Sequence, residues 1–435
     1  MKKVLILDRY YTTRFAKSEK YEFVVVALTK KNKQNLIAEG YNVVACFEEE
    51  YDLLTISDYP NNYLIHSFDS DRFLKRYSLQ IRREILGKEI TFWAEILDSH
   101  KPDFIINEVC TIEWMEVLYI EALKRNIKYN TFLFGQIPHM TYWLETPFNS
   151  AITPSRLDTI KPSVEHYEKA REFVKAIKEK PNKPFYSLVK KHNVFKVFLS
   201  SVKHYMRDLY RESKHEGFLY EYYSEQRKPG IESSWKMLYK KHDKFEINEK
   251  YEYVFYPLHY EPEATLSYFS EFYANQVDVI RAIAHSLKTN QILIVKEHPQ
   301  QVGMLLTKKY QNLKKDFPNL MFLNGNVPSF DILKSIKLLV TLTGTGGFEA
   351  MITGIPVIVL GDVFYNCCRS VNRCQSFNEL KDYIRNDSYI IPNEKDNLDF
   401  VAKFISLQTK FFPYFIKDTY EKSDIKNMRL YIESM

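Results

Sequence analysis

The feature that most constrains the fold is a stretch near the end of the chain, residues 338–362, which reads LLVTLTGTGGFEAMITGIPVIVLGD. An apolar run typical of a β-strand passes through a Thr/Gly turn into a helical pattern, and a second apolar strand follows. Such an order is typical of an α/β sheet, in which the turn lies at the carboxyl end of a strand, where ligands bind. A plain connection between two elements is the alternative interpretation.

The composition of this turn suits an anion such as phosphate. Backbone N–H groups at the start of a helix have no partner within the helix, and the helix dipole favours negative charge there. Glycine lets the backbone approach a ligand closely, and threonine hydroxyls can donate to phosphate oxygens. Neither a Walker A motif nor GxGxxG is present, so the turn alone is a weak signal. The turn residues predicted to bind phosphate are Thr343, Gly344, Thr345 and Gly346.

A second apolar strand, residues 291–295, leads directly into Lys296 and His298, and Pro299 follows. Because proline stops a strand, both side chains should lie at its carboxyl end, on the same edge as the Thr/Gly turn if the sheet is parallel. Two potential cations would then face an anion-binding helix start. Taken singly, His298 is better explained as a structural histidine, whereas its combination with the Thr/Gly turn favours phosphate binding.

A third strand, residues 253–257, is followed by His259, Glu261 and Glu263. Carboxylates beside a histidine at a strand end suit general acid–base catalysis on a hydroxyl group. We predict Glu263 as the catalytic carboxylate, Glu261 as the second candidate, and His259 as a positioning residue. A loop with solvated glutamates is the alternative.

These strand ends lie in three stretches of the chain, which read FYPLHYEPEAT, ILIVKEHPQQVG and LLVTLTGTGGFEAMITGIPVIVLGDVFY. In this order they resemble the capsular polysaccharide biosynthesis family of bacteria, which is related to Kdo transferases and, more distantly, to bacterial sialyltransferases. The resemblance covers about residues 250–370. It implies a GT-B-like α/β fold, in which two Rossmann-like domains face a cleft and the second domain holds most of the nucleotide.

The resemblance also implies roles for individual residues. His298 and Pro299 would belong to an element that contacts the nucleotide phosphate, and Glu349 would lie on the helix beneath it. The Thr343 to Thr345 turn would replace the Ser-Thr pair that binds phosphate in relatives. Because Thr-Gly-Thr departs from that pair, CMP and UDP both remain open as the nucleotide.

The predicted reaction is therefore transfer of a sugar, with Kdo or another acidic sugar as one option, from a nucleotide-activated donor to a capsule or surface polysaccharide. Cationic side chains and helix N–H groups would stabilise the charge on the leaving phosphate, so neither a metal nor a cofactor is expected. Two alternatives stay open. A sugar-nucleotide epimerase of the same fold would need no acceptor, and a non-catalytic capsule-assembly protein would keep the fold without the chemistry.

A length of 435 residues fits two or three domains. We predict a Rossmann-like acceptor domain at 1–150, a helical insertion at 151–248, a nucleotide-sugar domain at 249–400 and C-terminal helices at 401–435, which the resemblance places against the first domain. In the first domain, strands and helices alternate, which argues for a parallel sheet. Glu108 follows one of these strands, and with Gln136 and His139 it is predicted to bind the acceptor. Ordinary loop polar residues are the alternative.

The predicted insertion is unusually basic. Residues 183–244 contain 14 Lys/Arg and 7 Asp/Glu, an excess of seven that compares with +6 for the whole chain, and aromatic residues are interleaved. Such a helical face could contact anionic lipid or a lipid-linked acceptor at the inner membrane surface. A solvated charged face is the alternative. No nucleic-acid-binding motif accompanies the charge, so nucleic acid is not a predicted partner.

Other patterns point away from membrane-spanning, secreted and metal-dependent proteins. The chain has no run of about 18 apolar residues, and its first apolar run is too short for a signal peptide. An odd number of cysteines, five, suggests reduced thiols and a cytoplasmic protein, peripheral at the inner membrane if the insertion binds lipid. Asp69-Ser70-Asp71 matches a DxD metal motif but makes an equally good helix cap, and Cys367, Cys368 and Cys374 lack a fourth ligand nearby.

Overall fold

The structure is a computed structural model that describes residues 1–7, 21–58, 70–134, 137, 140–179, 194–214, 217–410 and 427. The chain divides into two compact units. Unit 1 contains residues 1–150, 218–220 and those described from 407 onward, and unit 2 contains residues 151–217 and 221–406. Each unit has its own mainly parallel sheet with helices, which confirms the prediction of two Rossmann-like α/β domains. Most of the predicted helical insertion, 151–248, falls within unit 2 in this division.

The described chain contains thirteen strands of two to seven residues. In chain order they are β1 (Lys2–Leu7), β2 (Tyr21–Ala27), β3 (Val43–Cys46), β4 (Phe104–Glu108), β5 (Lys128–Phe134), β6 (Thr141–Trp143), β7 (Glu252–Pro257), β8 (Gln291–Lys296), β9 (Leu320–Leu323), β10 (Leu338–Thr341), β11 (Val357–Val359), β12 (Asn372–Arg373) and β13 (Gln408–Thr409).

Helices alternate with these strands through most of the described chain. They are α1 (Lys30–Ala38), α2 (Phe47–Glu50), α3 (Leu79–His100), α4 (Glu113–Lys124), α5 (Pro154–Thr159), α6 (Val164–Glu179), α7 (Val194–Ser213), α8 (Lys228–Lys236), α9 (Ala264–Ser267), α10 (Gln276–Ser286), α11 (Lys308–Asp316), α12 (Ser329–Leu333), α13 (Thr345–Ile352), α14 (Phe377–Asn386) and α15 (Glu394–Ser406). Short 3-10 turns lie at Leu74–Arg76, Ser224–Arg227, Glu271–Tyr273, Met304–Leu306 and Phe364–Cys367.

The sheet of unit 1 has the order β13-β6-β5-β4-β1-β2-β3. Strands β1 to β5 run parallel to their neighbours, whereas β6 pairs antiparallel with β5 and β13 pairs antiparallel with β6. Strand β1 ends in a continuous buried apolar run, as expected for a parallel sheet covered on both faces. Because β13 pairs with β6, the chain returns to the first sheet after α15. Of the predicted C-terminal helix beyond residue 410, the structure describes Asn427 alone, whose side chain donates to the carbonyl of Lys410 at 2.7 Å.

Residues 218–220 belong to unit 1 although the chain on either side belongs to unit 2. Phe218 packs edge-on against Phe47, with ring centroids 5.8 Å apart, and also contacts Tyr51. The hydroxyl of Tyr220 donates a hydrogen bond to the buried carboxyl of Glu89. Aromatic packing and one buried hydrogen bond therefore hold this short segment in the first unit.

The sheet of unit 2 has the order β12-β11-β10-β7-β8-β9, and every neighbouring pair is parallel. Pro257 at the end of β7 pairs with Lys296 at the end of β8, and Leu339 of β10 pairs with Phe255 of β7. The carboxyl ends of β10, β7 and β8 therefore lie side by side at one edge of the sheet. This adjacency, predicted from the chain pattern, positions the candidate site.

Candidate functional site

The Thr/Gly turn connects the buried strand β10 to helix α13. The N–H of Gly344 donates to Oγ1 of Thr341 at 3.1 Å, while the Gly344 carbonyl accepts from the hydroxyl of Tyr365 at 2.6 Å and from the N–H of Gly347 at 3.1 Å. Both polar backbone groups of Gly344 are thus satisfied by the protein. These contacts fix the direction in which α13 begins.

The start of α13 presents unpaired donors to open space. The first N–H groups of a helix, here those of Thr345 and Gly346, have no acceptor within the helix itself. A methyl group added at Gly346 would meet nothing within 4 Å, so the space beside this backbone is open. Unpaired N–H groups, the positive end of the helix dipole and room for a ligand together favour an anion.

His259, on the loop after β7, supports the turn from the neighbouring strand. Its Nε2 accepts a hydrogen bond from the N–H of Thr343 at 3.1 Å, and its own N–H donates to Oε1 of Gln276 at 2.7 Å. Because Nε2 is an acceptor, the proton of the neutral ring is on Nδ1. Burial, aided by the nearby His298, lowers the pKa of His259 to about 4. His259 is therefore a neutral ring that holds the backbone of the predicted phosphate turn.

Nδ1 of His259 is buried and has no hydrogen-bond partner within the described part of the chain. With Nε2 occupied by the N–H of Thr343, Nδ1 carries a proton that it can donate. A buried donor without an acceptor costs free energy, so such groups usually serve a ligand or an ordered water.

Strand β8 ends at Lys296, the predicted cation. Its side chain is only 4% exposed and forms no ion pair with any residue that the structure describes. Burial lowers the pKa of Lys296 to about 8, although the neighbouring Glu297 opposes this shift. At neutral pH the ammonium group is still mainly charged. A buried cation without a carboxylate partner is a strong attraction for an anionic ligand.

His298 lies two residues further, half-buried and edge-on to the ring of Tyr260 at 5.7 Å between ring centroids. Its Nδ1 accepts the N–H of Gln300 at 3.2 Å, so Nε2 carries the proton. Burial and the charge of Lys296 lower the pKa of His298 to about 4. At neutral pH His298 is thus an uncharged N–H donor, and Lys296 is the cation of the predicted pair. Pro299 follows it half-buried, where β8 has already ended.

The two glutamates predicted for catalysis lie on the loop after β7. The carboxyl of Glu261 accepts from Nε2 of Gln276 at 2.7 Å and lies 3.5 Å from Nζ of Lys309. Glu263 precedes α9 and accepts from the hydroxyl of Thr265 at 2.9 Å. Neighbouring side chains thus engage both carboxylate oxygens of Glu261, which makes this residue a support of the loop.

Glu349 lies on α13, one turn after the Thr/Gly turn. Burial raises the pKa of its carboxyl to about 7, so roughly half of the molecules carry a proton there at neutral pH. A carboxyl that changes protonation near neutrality can donate a hydrogen bond to a ligand hydroxyl when it is protonated, or accept one from it when it is ionised.

Of the three residues predicted to bind the acceptor, one is described. Glu108 is buried at the end of β4, and its N–H donates to the side-chain oxygen of Asn107 at 2.9 Å. Gln136 and His139 lie outside the described residues.

The DxD alternative is explained by a structural role for its last residue. Asp71 is fully buried, and its carboxyl accepts N–H groups from Phe73 and Leu74 at 2.8 Å and from Glu113 at 2.9 Å. It therefore caps the start of α4 and the start of the 3-10 turn at Leu74–Arg76. Asp69 lies outside the described residues.

Within the described ranges, no group of three or more His, Cys, Asp or Glu side chains is arranged to hold a metal ion, and all five cysteines are free.

Sequence reasoning missed the residue that organises the loop after β7. The side chain of Gln276, 1% exposed at the start of α10, bonds to the backbone N–H and carbonyl of His259 and to the carboxyl of Glu261. It also accepts from the hydroxyl of Tyr256 at 3.2 Å. A polar residue at a helix start looks ordinary in a sequence, so no pattern could have identified it. Tyr365 was also missed, because the Gly344 carbonyl to which its hydroxyl donates lies 21 residues away in the chain.

Comparison with known proteins gives one family match. Residues 177–369 match the family described as "Capsule polysaccharide biosynthesis protein". The match spans somewhat less than half of the chain and includes all three strand ends of the site. It confirms the resemblance predicted from the three sequence stretches.

Individual proteins show weaker similarity. Protein FixF of Sinorhizobium fredii (strain NBRC 101917 / NGR234) is 25% identical over 116 residues, which is 26% of this chain and 27% of that protein. The chain thus aligns with about a quarter of this curated relative.

Two solved structures illustrate the structural similarity. The β-Kdo 2,7 transferase of KpsC from Thermosulfurimonas dismutans has a TM-score of 0.38 and 14% identity, over 83% of this chain and 98% of that chain. A UDP-GlcNAc 2-epimerase from Neisseria meningitidis has a TM-score of 0.31 and 12% identity, over 93% of this chain and 98% of the other.

Proposed function

We propose that this chain, whose residues 177–369 match the capsule polysaccharide biosynthesis family, is a glycosyltransferase. It would move a sugar, such as Kdo or another acidic sugar, from a CMP- or UDP-linked donor to a capsule or surface polysaccharide acceptor. The observation that carries this proposal is the edge of the sheet in unit 2. There, a buried cation without an ion-pair partner in the described chain, Lys296, and the open start of α13 follow strands that flank the same central strand, β7.

Such an edge suits the leaving group of glycosyl transfer. When the bond between sugar and nucleotide breaks, negative charge grows on the phosphate oxygen that leaves. In this proposal, the donors that meet this charge are the ammonium group of Lys296, the Nε2–H of His298 and the N–H groups of Thr345 and Gly346. Preorganised donors of this kind are usually the largest contribution to catalysis.

Two other residues have supporting roles in this proposal. His259 acts as a positioning residue, since its ring accepts the N–H of Thr343 and keeps the turn in the conformation that aims α13. Glu349 would bond to a hydroxyl of the nucleotide sugar, because its carboxyl is half-buried and its pKa lies near 7. Glu263 remains our first choice for the catalytic carboxylate and Glu261 the second, and Glu261 also supports the loop through Gln276 and Lys309. Glu108, with Gln136 and His139, remains the proposed contact to the acceptor.

The nucleotide assignment can be tested by transfer assays with CMP- and UDP-sugars. We expect His298→Ala to lower transfer by about two to three orders of magnitude, because removing one donor to a developing oxyanion costs about 2.7–4 kcal/mol. Thr345→Ala keeps the backbone N–H and removes only the hydroxyl, a possible donor to a phosphate oxygen, so it should lower transfer less. A matched control is Thr353→Ala at the far end of α13, whose hydroxyl contacts only backbone carbonyls of its own helix. Unchanged transfer in both site variants would contradict the proposal.

Two further measurements separate this reaction from its alternatives. Turnover of the donor without any acceptor would instead favour an epimerase, and nucleotide binding without product would favour a non-catalytic role.

We also propose that transfer is independent of divalent metal, because Lys296 and the helix start supply positive potential. Activity that disappears with EDTA and returns with Mg²⁺ would overturn that point.

A further inference from the structure

Helix α7 carries an apolar stripe that faces away from the protein. Leu199, Val202, Met206 and Leu209 with Tyr210 recur every three or four residues, so they share one face of the helix. Leu199 is 51%, Met206 55% and Tyr210 60% exposed. A surface helix normally turns such a stripe towards the core. In α7 the stripe is instead presented outward.

The polar side of α7 is the one that packs. Asp208 is only 2% exposed and lies between the guanidinium groups of Arg207 and Arg227, at 2.7 and 2.8 Å. The carboxyl of Glu212 accepts both the N–H and the hydroxyl of Ser224 at 2.6 Å. These ion pairs and hydrogen bonds hold α7 against the segment that follows it, with the apolar stripe outside.

The charge left at the surface of α7 is positive. Asp208 and Glu212 are its two acidic residues, and both are engaged inward. Lys203 and Lys214 are exposed beside the stripe. The outer half of the helix therefore combines apolar side chains with cations and has no acidic side chain of its own.

Helix α8 and the residues after it extend the apolar surface. Trp235 is 50% exposed, and its ring lies 5.4 Å from that of Phe198 and 6.0 Å from that of Tyr239. Tyr239 and Leu238 are also exposed. Tryptophan and tyrosine are the residues that concentrate at the level of lipid headgroups, because each has an apolar body and a polar edge. We name this whole surface, residues 199–214 with residues 235–239, the α7 face.

We propose that the α7 face binds the surface of an anionic lipid bilayer. Charge and apolarity both argue for this occupant. Lysines beside the stripe match the negative potential of an anionic leaflet, and the stripe can enter the boundary between headgroups and acyl chains. A soluble polyanion would contact the lysines but would leave the exposed Leu, Met and Trp side chains in water. A neutral apolar surface would contact those apolar side chains but would leave the lysines without a partner charge. The proposal does not depend on glycosyl transfer.

The experiment is vesicle flotation with the full-length protein. Vesicles of phosphatidylcholine alone are compared with vesicles that also contain phosphatidylglycerol, at low and at physiological salt. We expect binding to the mixed vesicles, weaker binding as salt increases, and little binding to phosphatidylcholine alone, since salt screens surface charge. Absence of binding to the mixed vesicles, or equal binding to both kinds, overturns the proposal.

Variants locate the contact. Lys203→Glu with Lys214→Glu should weaken binding to mixed vesicles by roughly thirtyfold or more, because each basic residue near an anionic surface contributes about a factor of five. Leu199→Gln with Met206→Gln should weaken it as well. The matched controls are Lys30→Glu with Lys31→Glu, which changes the net charge by the same amount, and Ile37→Gln, all at exposed positions of α1 in unit 1. Thermal melting confirms that each variant is folded.

Two outcomes distinguish the bilayer from other occupants. If the controls weaken flotation as much as the α7 variants do, net charge explains the binding and the assigned surface is wrong. If sedimentation shows a dimer that Leu199→Gln with Met206→Gln dissociates, the stripe is instead an interface between copies of this chain. Flotation lost in both α7 variants and kept in the controls, with a monomer throughout, supports the proposal.

Discussion

At the scale of single residues, two neighbouring glycines in α13 differ in what surrounds them. A Cβ atom at Gly347 would collide with Oη of Tyr365 and lie 2.9 Å from the Thr341 side chain, whereas one at Gly346 would meet nothing within 4 Å. We expect Gly347→Ala to lower the free energy of unfolding by about 1–3 kcal/mol through overpacking. Gly346→Ala should change it by less than about 1 kcal/mol, in the stabilising direction. Urea denaturation of both variants measures the difference, and equal effects would contradict this account of the turn.

A second prediction at this scale concerns the pH dependence of stability. The folded-state pKa of His259 and of His298 is about 4, below the ordinary value of 6.5. As the pH falls below 6.5, the unfolded chain binds protons that the folded protein does not, so stability falls until about pH 4. His259, which is buried, contributes at most about 3 kcal/mol to this loss. His259→Gln, measured by urea denaturation across this pH range, should flatten the curve; an unchanged slope would show that other groups cause it.

At the scale of elements, the turn depends on a side chain from outside α13. The hydroxyl of Tyr365, in the 3-10 turn after β11, donates to the carbonyl of Gly344 at 2.6 Å. Tyr365→Phe keeps the ring and removes this bond, so we expect a loss of about 0.5–1.5 kcal/mol in the free energy of unfolding. The Gly344 carbonyl keeps its bond from the N–H of Gly347, which limits the loss. Tyr383→Phe, whose hydroxyl contacts a side chain one turn away on α14, is the control and should cost less.

At the scale of the whole molecule, nucleotide binding should stabilise the protein through Lys296. A ligand that binds only the folded state adds about 2.7 kcal/mol at one hundred times its Kd, so CMP or UDP should raise the Tm. Lys296→Met keeps the size of the buried side chain and removes its charge. Because burial already disfavours that charge, we expect the stability without nucleotide to be equal or higher. The nucleotide-induced rise in Tm should disappear, and its persistence would contradict the role of Lys296.

The architecture could be predicted largely from the chain because its signals are local. Apolar runs of four to six residues gave the strands, and Pro299 or the Gly/Thr turn marked where they end. Parallel pairing then requires that the ends of β7, β8 and β10 meet at one edge. Among the residues that the structure describes, no helix has the length and apolarity to cross a bilayer. The position of the helical insertion was harder to predict. Its helices belong to unit 2 because α6 packs against α15. The hydroxyl of Tyr167 on α6 donates to the carboxyl of Asp399 on α15 at 2.7 Å.

By itself, the sequence determined which residues end the strands of unit 2, because hydrophobic periodicity, proline and glycine act through neighbouring residues. Tertiary structure alone decided the partners and charge states of those residues. Gln276 engages Glu261, the turn backbone binds His259, and burial leaves His298 neutral beside the cation Lys296. These contacts join residues distant in the chain, and burial depends on the packing of all the layers around them, so no local pattern encodes either.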